Sequence, residues 1–404
     1  MSALPRSTGT SAKPGTSSSS SNSSTGRNTL AGGTATTTDE DRRHMMAALA
    51  LSLRHLGQTW PNPSVGCVIV HDGRVVGRGV TARGGRPHAE TEALKQAGEA
   101  ARGATAYVSL EPCAHQGQTG PCCDALIAAG IARVVVPMRD PDPRTAGEGL
   151  ARLIEAGVVV DEGSLAAEAA DIHAGFASRI VRERPLVTAK IAATLDGRVA
   201  TAGGDSKWIT GPEARARGHL LRANHDAVMI GSGTALADNP VLTCRLPGMS
   251  DHSPLRVVVD SGLGLPEQSG LVLSARETPL LVLCGNDVPA EQEQRLASAG
   301  VEIAKVGRRH DGRLDTALIL SELGGRGVTR LLIEGGPRLV TSFLADHLVD
   351  RLAWFSAPAL LGNDGTPAVR AMGIDSISRA ASWRVRHADR VGDDGLVMLD
   401  AVRE

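Results

Sequence analysis

The residues best suited to chemistry lie between Pro87 and Cys123, which read Pro-His-Ala-Glu at 87–90 and, after twenty residues, Glu-Pro-Cys at 111–113 and Gly-Pro-Cys-Cys at 120–123. One imidazole, His88, and two thiolates, Cys113 and Cys122, offer a zinc ion three ligands and leave a fourth position for water. That open position separates a catalytic zinc from a closed structural one. Glu90 follows His88 too closely to be a convenient further ligand, but it suits a proton shuttle beside the water. A closed structural module has no use for such a carboxylate. The plain alternative, reduced cysteines beside a surface histidine, weakens once Pro-Cys and a second, helix-opening cysteine accompany the His-x-Glu.

Two helices have to position these ligands. His88-Ala-Glu90 opens a helical pattern through Glu92, Ala93, Leu94 and Ala97, and Cys122 opens another through Ala125, Leu126 and Ile127. A ligand at a helix N-terminus sits in positive potential, which favours thiolate over thiol. The pattern resembles the zinc deaminases, in which the metal acidifies water and a non-ligand Glu carries protons to the departing amine. In those proteins the second cysteine follows the first closely; here Gln116 takes its place, and the next thiols, Cys122 and then Cys123, come after eight intervening residues. A loop containing Gly117 and Gly120 can still bring both sulfurs to one metal.

At 404 residues the chain is long enough for two domains, each with a full core. The net charge is -1, and with one Tyr, three Phe and four Trp there is no aromatic series to stack bases, so no nucleic-acid partner is implied. No apolar stretch approaches the roughly 18 residues of a membrane span. The six cysteines, two or three of them committed to metal, suit a reducing compartment and not a disulfide framework. The expected location is the cytoplasm.

Residues 1–40 are Ser, Thr, Gly and Ala with almost no large apolar side chain, and are expected to be disordered. They lack the apolar core of a secretory signal, and three basic residues are few for an organelle leader. A helix follows from about Asp41, with Met45, Ala48 and Leu49 at helical spacing. The rigid Pro61-Asn62-Pro63 turn then feeds a buried strand through Cys67 to Val70, and Asp72-Gly73 reads as a hairpin turn. Strands are expected at 134–136 and 158–160 and helices at 149–156 and 164–182. The order αββαβαβαβ predicts one mixed sheet between helices, with the metal ligands at helix starts on one edge. Pro185 stops the last helix, which puts a boundary between residues 41–184 and 185–404. The second part alternates strands (187–192, 227–230, 255–259, 280–284, 330–333) with helices, such as 212–223, and a loop at 231–239; this is a second α/β domain. Gly231-Ser-Gly233 lacks the third glycine and the ribose-binding acid of the dinucleotide fingerprint. Gly335-Gly336, after a buried strand, is a better place for an anion, because bare backbone N–H groups there can face it.

From about residue 41 to the end the chain resembles the bifunctional deaminase–reductase family of riboflavin biosynthesis. The motifs are Pro61-Asn-Pro-Ser-Val-Gly-Cys67, Pro87-His-Ala-Glu90, Glu111-Pro-Cys113, Leu195-Asp-Gly-Arg198, Ser206-Lys-Trp208, Leu220-Leu-Arg222, Gly231-Ser-Gly-Thr234, Asp238-Asn-Pro240, Glu334-Gly-Gly336 and Leu360-Leu-Gly362. The resemblance implies a cytidine-deaminase-like three-layer α/β/α zinc domain followed by a dihydrofolate-reductase-like α/β domain. It implies hydrolysis of the 2-amino group of a diaminopyrimidine ribosylamine phosphate to the uracil, then reduction of the ribosyl chain to ribityl by NADPH. His88, Cys113 and Cys122 then match zinc ligands, Glu90 the proton shuttle and Asn62 a pyrimidine contact. Ala192, Trp208, Thr234, Asp238 and the run Gly336, Pro337, Arg338, Leu339, Val340, Thr341 and Ser342 match cofactor positions. Ser206, Arg222, Leu242, Arg245 and Glu334 match substrate positions, two arginines and a hydroxyl suiting a phosphate monoester. Lys190 and Glu334 are the expected catalytic pair of the reduction. The expected partners are small phosphoribosylamino-pyrimidines and a second copy of the chain, paired through the reductase domain. The chain departs from the family at Ala114-His115-Gln116-Gly117-Gln118, where Ser-His-His-Gly-Arg is common, and at Glu148, where Lys is common. The rival reading is a deaminase fused to a domain that only binds; Lys190, Asp238 and Glu334 weigh against it.

Overall fold

Cys67 and Ile69 point to one side of their strand and Val68 and Val70 to the other, and all four are buried, because helices cover both faces of the first sheet. The computed structural model describes residues 38–402 apart from 118, 119, 144 and 164; the segment expected to be disordered lies, up to residue 37, outside the described residues. In chain order the first half runs α1 (Asp39–Ser52), β1 (Gly66–His71), β2 (Arg74–Val80), α2 (Ala89–Ala97), β3 (Thr105–Val108), α3 (Cys122–Ala128), β4 (Arg133–Val136), α4 (Glu148–Glu155), β5 (Val159–Glu162) and α5 (Ala166–Arg182). The strands form one sheet in the order β2-β1-β3-β4-β5, antiparallel on both sides of β1 and parallel from β3 to β5. Cys67 and Ile69 pack with Ala89, Ala93, Leu126 and Leu153 of α2, α3 and α4. Val68 and Val70 pack with Met45, Ala48 and Ala169 of α1 and α5.

Two glycines set how closely α2 lies on the sheet. A Cβ at Gly77 or Gly79 of β2 would come within 2.2 and 2.0 Å of the Ala93 and Ala89 carbonyl oxygens, so only glycine permits this approach. The helix held there is the one that His88 begins.

The second half contains β6 (Leu186–Thr194), β7 (Arg198–Ala200), α6 (Pro212–Ala223), β8 (Ala227–Gly231), α7 (Ser232–Asp238), β9 (Leu255–Val259), α8 (Gly270–Leu273), β10 (Leu280–Gly285), α9 (Ala290–Ser298), β11 (Glu302–Val306), α10 (Thr316–Gly325), β12 (Arg330–Ile333), α11 (Pro337–Ala345), β13 (Arg351–Ala357), β14 (Thr366–Pro367), β15 (Trp383–Val391) and β16 (Asp394–Ala401). Nine strands make one sheet, ordered β11-β10-β9-β8-β12-β6-β13-β16-β15. It is parallel from β11 to β13 and closes with antiparallel β16 and β15. Its inner strands read Val, Leu and Ile with little alternation, as parallel strands covered on both faces must.

Residues 231–239, expected as a loop, instead hold α7. The two glycines suggested a loop, but Ala235, Leu236 and Ala237 are good helix formers, and Ala235 is buried against the core. Past Pro185 the chain enters β6 directly. Asp350 fixes this junction, accepting hydrogen bonds from Arg182, Arg184 and the Val187 N–H, all at 2.8 Å. Among the described residues no helix is long and apolar enough to cross a membrane.

Candidate active sites

His88 is the N-cap of α2 and Cys122 the first residue of α3, so both sit at the positive ends of helices. Cys113 comes from the loop after β3. The His88 Nδ1 lies 3.3 Å from the Cys122 sulfur and 3.6 Å from that of Cys113, and the Cys122 N–H points at the Cys113 sulfur from 3.4 Å. Nitrogen and both sulfurs fall within 4.8 Å of one another. The Cys122 S–H and N–H, with the imidazole, pull the Cys113 thiol down to about 4, while Cys113 itself and burial push Cys122 up. Two sulfurs that share one proton against an imidazole make a donor set for a thiophilic cation, and the residues present therefore fit zinc. Glu90 is buried, and burial followed by the Cys113 sulfur pushes its carboxyl up to about 7. Its carboxyl meets the Cys122 thiol beside the donor set. Cys123 faces away, with its sulfur 3.6 Å from Asp124 Oδ1.

Asn62 donates to the Gly85 carbonyl at 2.9 Å, so the Pro61–Pro63 turn is tied to the loop that delivers His88. Glu111 opens the Glu-Pro-Cys motif. Its buried carboxylate accepts the N–H groups of Asp140, Gly147 and Gly149 at 2.9–3.0 Å, which holds the 140–150 segment against the chain entering Cys113. A carboxylate two residues before Cys113 is visible in sequence, but its partners are not.

The second site is a cleft of about 680 Å³ along the carboxyl ends of β6, β8, β9 and β12. Lys190, Ala192, Ser206, Thr234, Asp238 and Glu334 line it, as do Gly336, Pro337, Arg338, Leu339, Val340 and Ser342. Lys190 and Glu334 are neighbours across paired strands, since Ala189 is in register with Ile333. Burial lowers the Lys190 ammonium, Glu334 supports it and Arg222 opposes it. The Gly336 N–H, expected to face an anion, donates instead to the Thr234 hydroxyl at 2.9 Å.

Five expected residues do not line the cleft. Arg222 is drawn back to Glu334, through Nε to Oε1 at 2.6 Å and Nη2 to Oε2 at 2.9 Å, and also donates to the Thr243 carbonyl. Arg245 is exposed, its N–H directed to His219 Nδ1. Leu242 is buried in the core. Trp208 is 68% exposed beneath the Arg215 guanidinium, 4.6 Å from its ring centre. Thr341 turns its hydroxyl to the Arg370 N–H at 2.8 Å. Conversely Ser261, Arg313, Thr316 and Arg370 line the cleft without any signal in the sequence.

Residues 38–138 match the family model of the cytidine and deoxycytidylate deaminase zinc-binding region, and residues 185–397 match that of the RibD C-terminal domain. The riboflavin biosynthesis protein RibD of Escherichia coli is 40% identical over 362 residues, covering 87% of this chain and 96% of its own. That of Aquifex aeolicus is 40% identical over 358 residues, covering 89% and 98%. Among solved structures, Acinetobacter baumannii RibD superposes with a TM-score of 0.81 at 35% identity, over 90% of this chain and 99% of that one. The diaminohydroxyphosphoribosylaminopyrimidine deaminase/5-amino-6-(5-phosphoribosylamino)uracil reductase of Thermotoga maritima gives 0.77 at 33% identity, over 89% and 98%.

Proposed function

The chain belongs to the RibD family, the bifunctional deaminase–reductases of riboflavin biosynthesis, and from that premise we propose which residues carry the two steps and where the chain divides between them. The deaminase occupies residues 41–184 and the reductase 185–404. The observation that carries the reading is the convergence of His88, Cys113 and Cys122 on one point beside a buried Glu90.

In the first step water adds to the carbon bearing the 2-amino group of the pyrimidine, and ammonia leaves. His88, Cys113 and Cys122 would hold zinc, whose charge would make this water acidic. Glu90 takes the water's proton and passes it to the departing amine. Asn62 meets the pyrimidine and, through Gly85, keeps the His88 loop in register. In the second step the ribosylamine ring opens to an imine, to whose C1′ NADPH, when bound in the cleft, would supply hydride. Lys190 polarises the oxygen or nitrogen that gains charge, and Glu334 supports its ammonium. Ala192, Thr234, Asp238 and Gly336, with Pro337–Val340 and Ser342 of α11, hold the cofactor, and Ser206 and Glu334, the latter held by Arg222, face the substrate.

We place the enzyme in the reducing cytoplasm, supported by six cysteines that are all free thiols. It pairs with a second copy through the reductase half, where β15 ends the sheet with one edge unpaired among the described residues. The test is to supply the diaminopyrimidine phosphate with and without NADPH and identify products by mass. Only the uracil compound should form without NADPH, and the ribityl compound with it. Formation of neither uracil nor ribityl product would overturn the assignment.

A further inference from the structure

We propose that Arg313, seconded by Ser261, binds the 2′-phosphate of the cofactor and makes the reductase select NADPH over NADH. The inference rests on the reading that the cleft holds a nicotinamide dinucleotide. Along the carboxyl edge of the sheet the consecutive strands are β6, β12, β8 and β9. Three strand spacings separate Lys190, on β6, from the end of β9, a span of about 14 Å. A dinucleotide with its nicotinamide at Lys190 and its pyrophosphate at the N-terminus of α11, whose first residues line the cleft, therefore brings its adenosine ribose to the β9 end. Ser261 and Arg313 line the cleft there, together with Val259 and Leu314.

Enzymes of this general layout distinguish the two cofactors by a simple electrostatic choice. A carboxylate at the strand end hydrogen-bonds a free 2′-hydroxyl, whereas an arginine accommodates a 2′-phosphate. Here the strand-end acid is Asp260, directly after β9. It is buried, and its Oδ2 is occupied by the Leu265 N–H at 2.9 Å. It is turned away from the cleft and cannot serve a ribose diol.

The cations nearby are then decisive. Arg308 is tied to Asp287, the Gly312 carbonyl and the Ser261 carbonyl, and Arg309 to Asp346 and Thr316. Among the described residues the ion-pair partner of Arg313 is Asp311, 3.6 Å away with both side chains more than half exposed, a pairing worth little in water. Its guanidinium is available for a phosphate dianion, which it suits by fork geometry and permanent charge.

The experiment measures binding of 2′,5′-ADP and of 5′-AMP to the full chain by calorimetry, since these differ only in the 2′-phosphate. The parent should prefer 2′,5′-ADP. Arg313→Ala should weaken 2′,5′-ADP roughly 10- to 100-fold, the factor for one lost charge-assisted hydrogen bond, and leave 5′-AMP within about twofold. Arg313→Lys should recover part of the loss, because the ammonium keeps the charge without the fork. In steady state the KM for NADPH should rise in Arg313→Ala and that for NADH stay put. Equal weakening of both nucleotides, or no weakening of either, overturns the role of Arg313 alone. A parent protein that binds neither NADPH nor 2′,5′-ADP overturns the cofactor reading of the cleft as well.

Discussion

Arg222→Ala should strand a buried carboxylate inside the reductase half. Arg222 and Glu334 keep only 14% and 9% of their side-chain areas exposed and meet through two N–H···O bonds. Burial by itself raises the Glu334 carboxyl; the guanidinium outweighs it and holds the group down at about 2, against an ordinary 4.5. That gap corresponds to about 3 kcal/mol of stability at neutral pH. It agrees with the roughly 3–5 kcal/mol lost when one partner of a buried pair is removed. The sign follows from proton counting: a depressed carboxylate contributes fully above its unfolded pKa and loses that contribution as pH falls from 4.5 towards 2. Urea unfolding of the parent, Arg222→Ala and the double variant Arg222→Ala/Glu334→Gln measures the effect. The single variant should lose roughly 3 kcal/mol, with reduction impaired and deamination intact. The double variant should regain more than about 1 kcal/mol, because the stranded charge is gone. If Arg222 serves only to grip substrate phosphate, Arg222→Ala will raise the KM for the uracil compound and leave unfolding unchanged. That outcome refutes the positioning argument.

Cys122→Ser should abolish zinc binding by metal analysis, whereas Cys123→Ser, whose sulfur lies against Asp124, should retain it; metal that follows Cys123 would mean the loop register is wrong. Glu90→Gln should keep zinc and lose deamination by about 10²–10⁴-fold, yet still oxidise NADPH when given the uracil intermediate. Lys190→Ala should do the converse, deaminating normally and accumulating that intermediate; if Glu90→Gln also stops reduction, the two sites are coupled. Acid should destabilise the protein through His173 and His225, which burial holds at about 4 and about 3 against an ordinary 6.5. The unfolded chain binds the extra protons, so their contribution is intact above 6.5 and falls by roughly 2 kcal/mol per histidine by pH 5. Urea midpoints between pH 7.5 and 5 check this, and a flat profile would show that these histidines are not buried as neutral rings.

The cluster of His88, Cys113 and Cys122 beside Glu90 was legible in the sequence because much of its geometry is local. A His and a Cys that begin helices are declared by the apolar spacing that follows them, and Glu90 falls beside His88 on the same helical turn. The order of elements in the first sheet and the stop at Pro185 were legible for the same reason, as each depends on a few adjacent residues. The short helix α7 was missed where two glycines outweighed three good helix formers, a choice that burial of Ala235 settles.

The reductase site was legible only as a set of types. Lys190, Glu334 and the Gly335-Gly336 turn could be named, but their partners lie far away in the chain. Arg222 meets Glu334 across 112 positions and Thr234 meets Gly336 across 102. Whether an arginine grips substrate or holds a catalytic carboxylate depends on which strand ends stand side by side. In this sheet β12 lies between β8 and β6, an order that no local pattern encodes. Residue type and short spacing therefore determined the chemistry available to this protein. Long-range packing of parallel strands decided which charges face the cleft and which neutralise one another inside it, because a buried charge takes the partner that tertiary structure brings within hydrogen-bond reach.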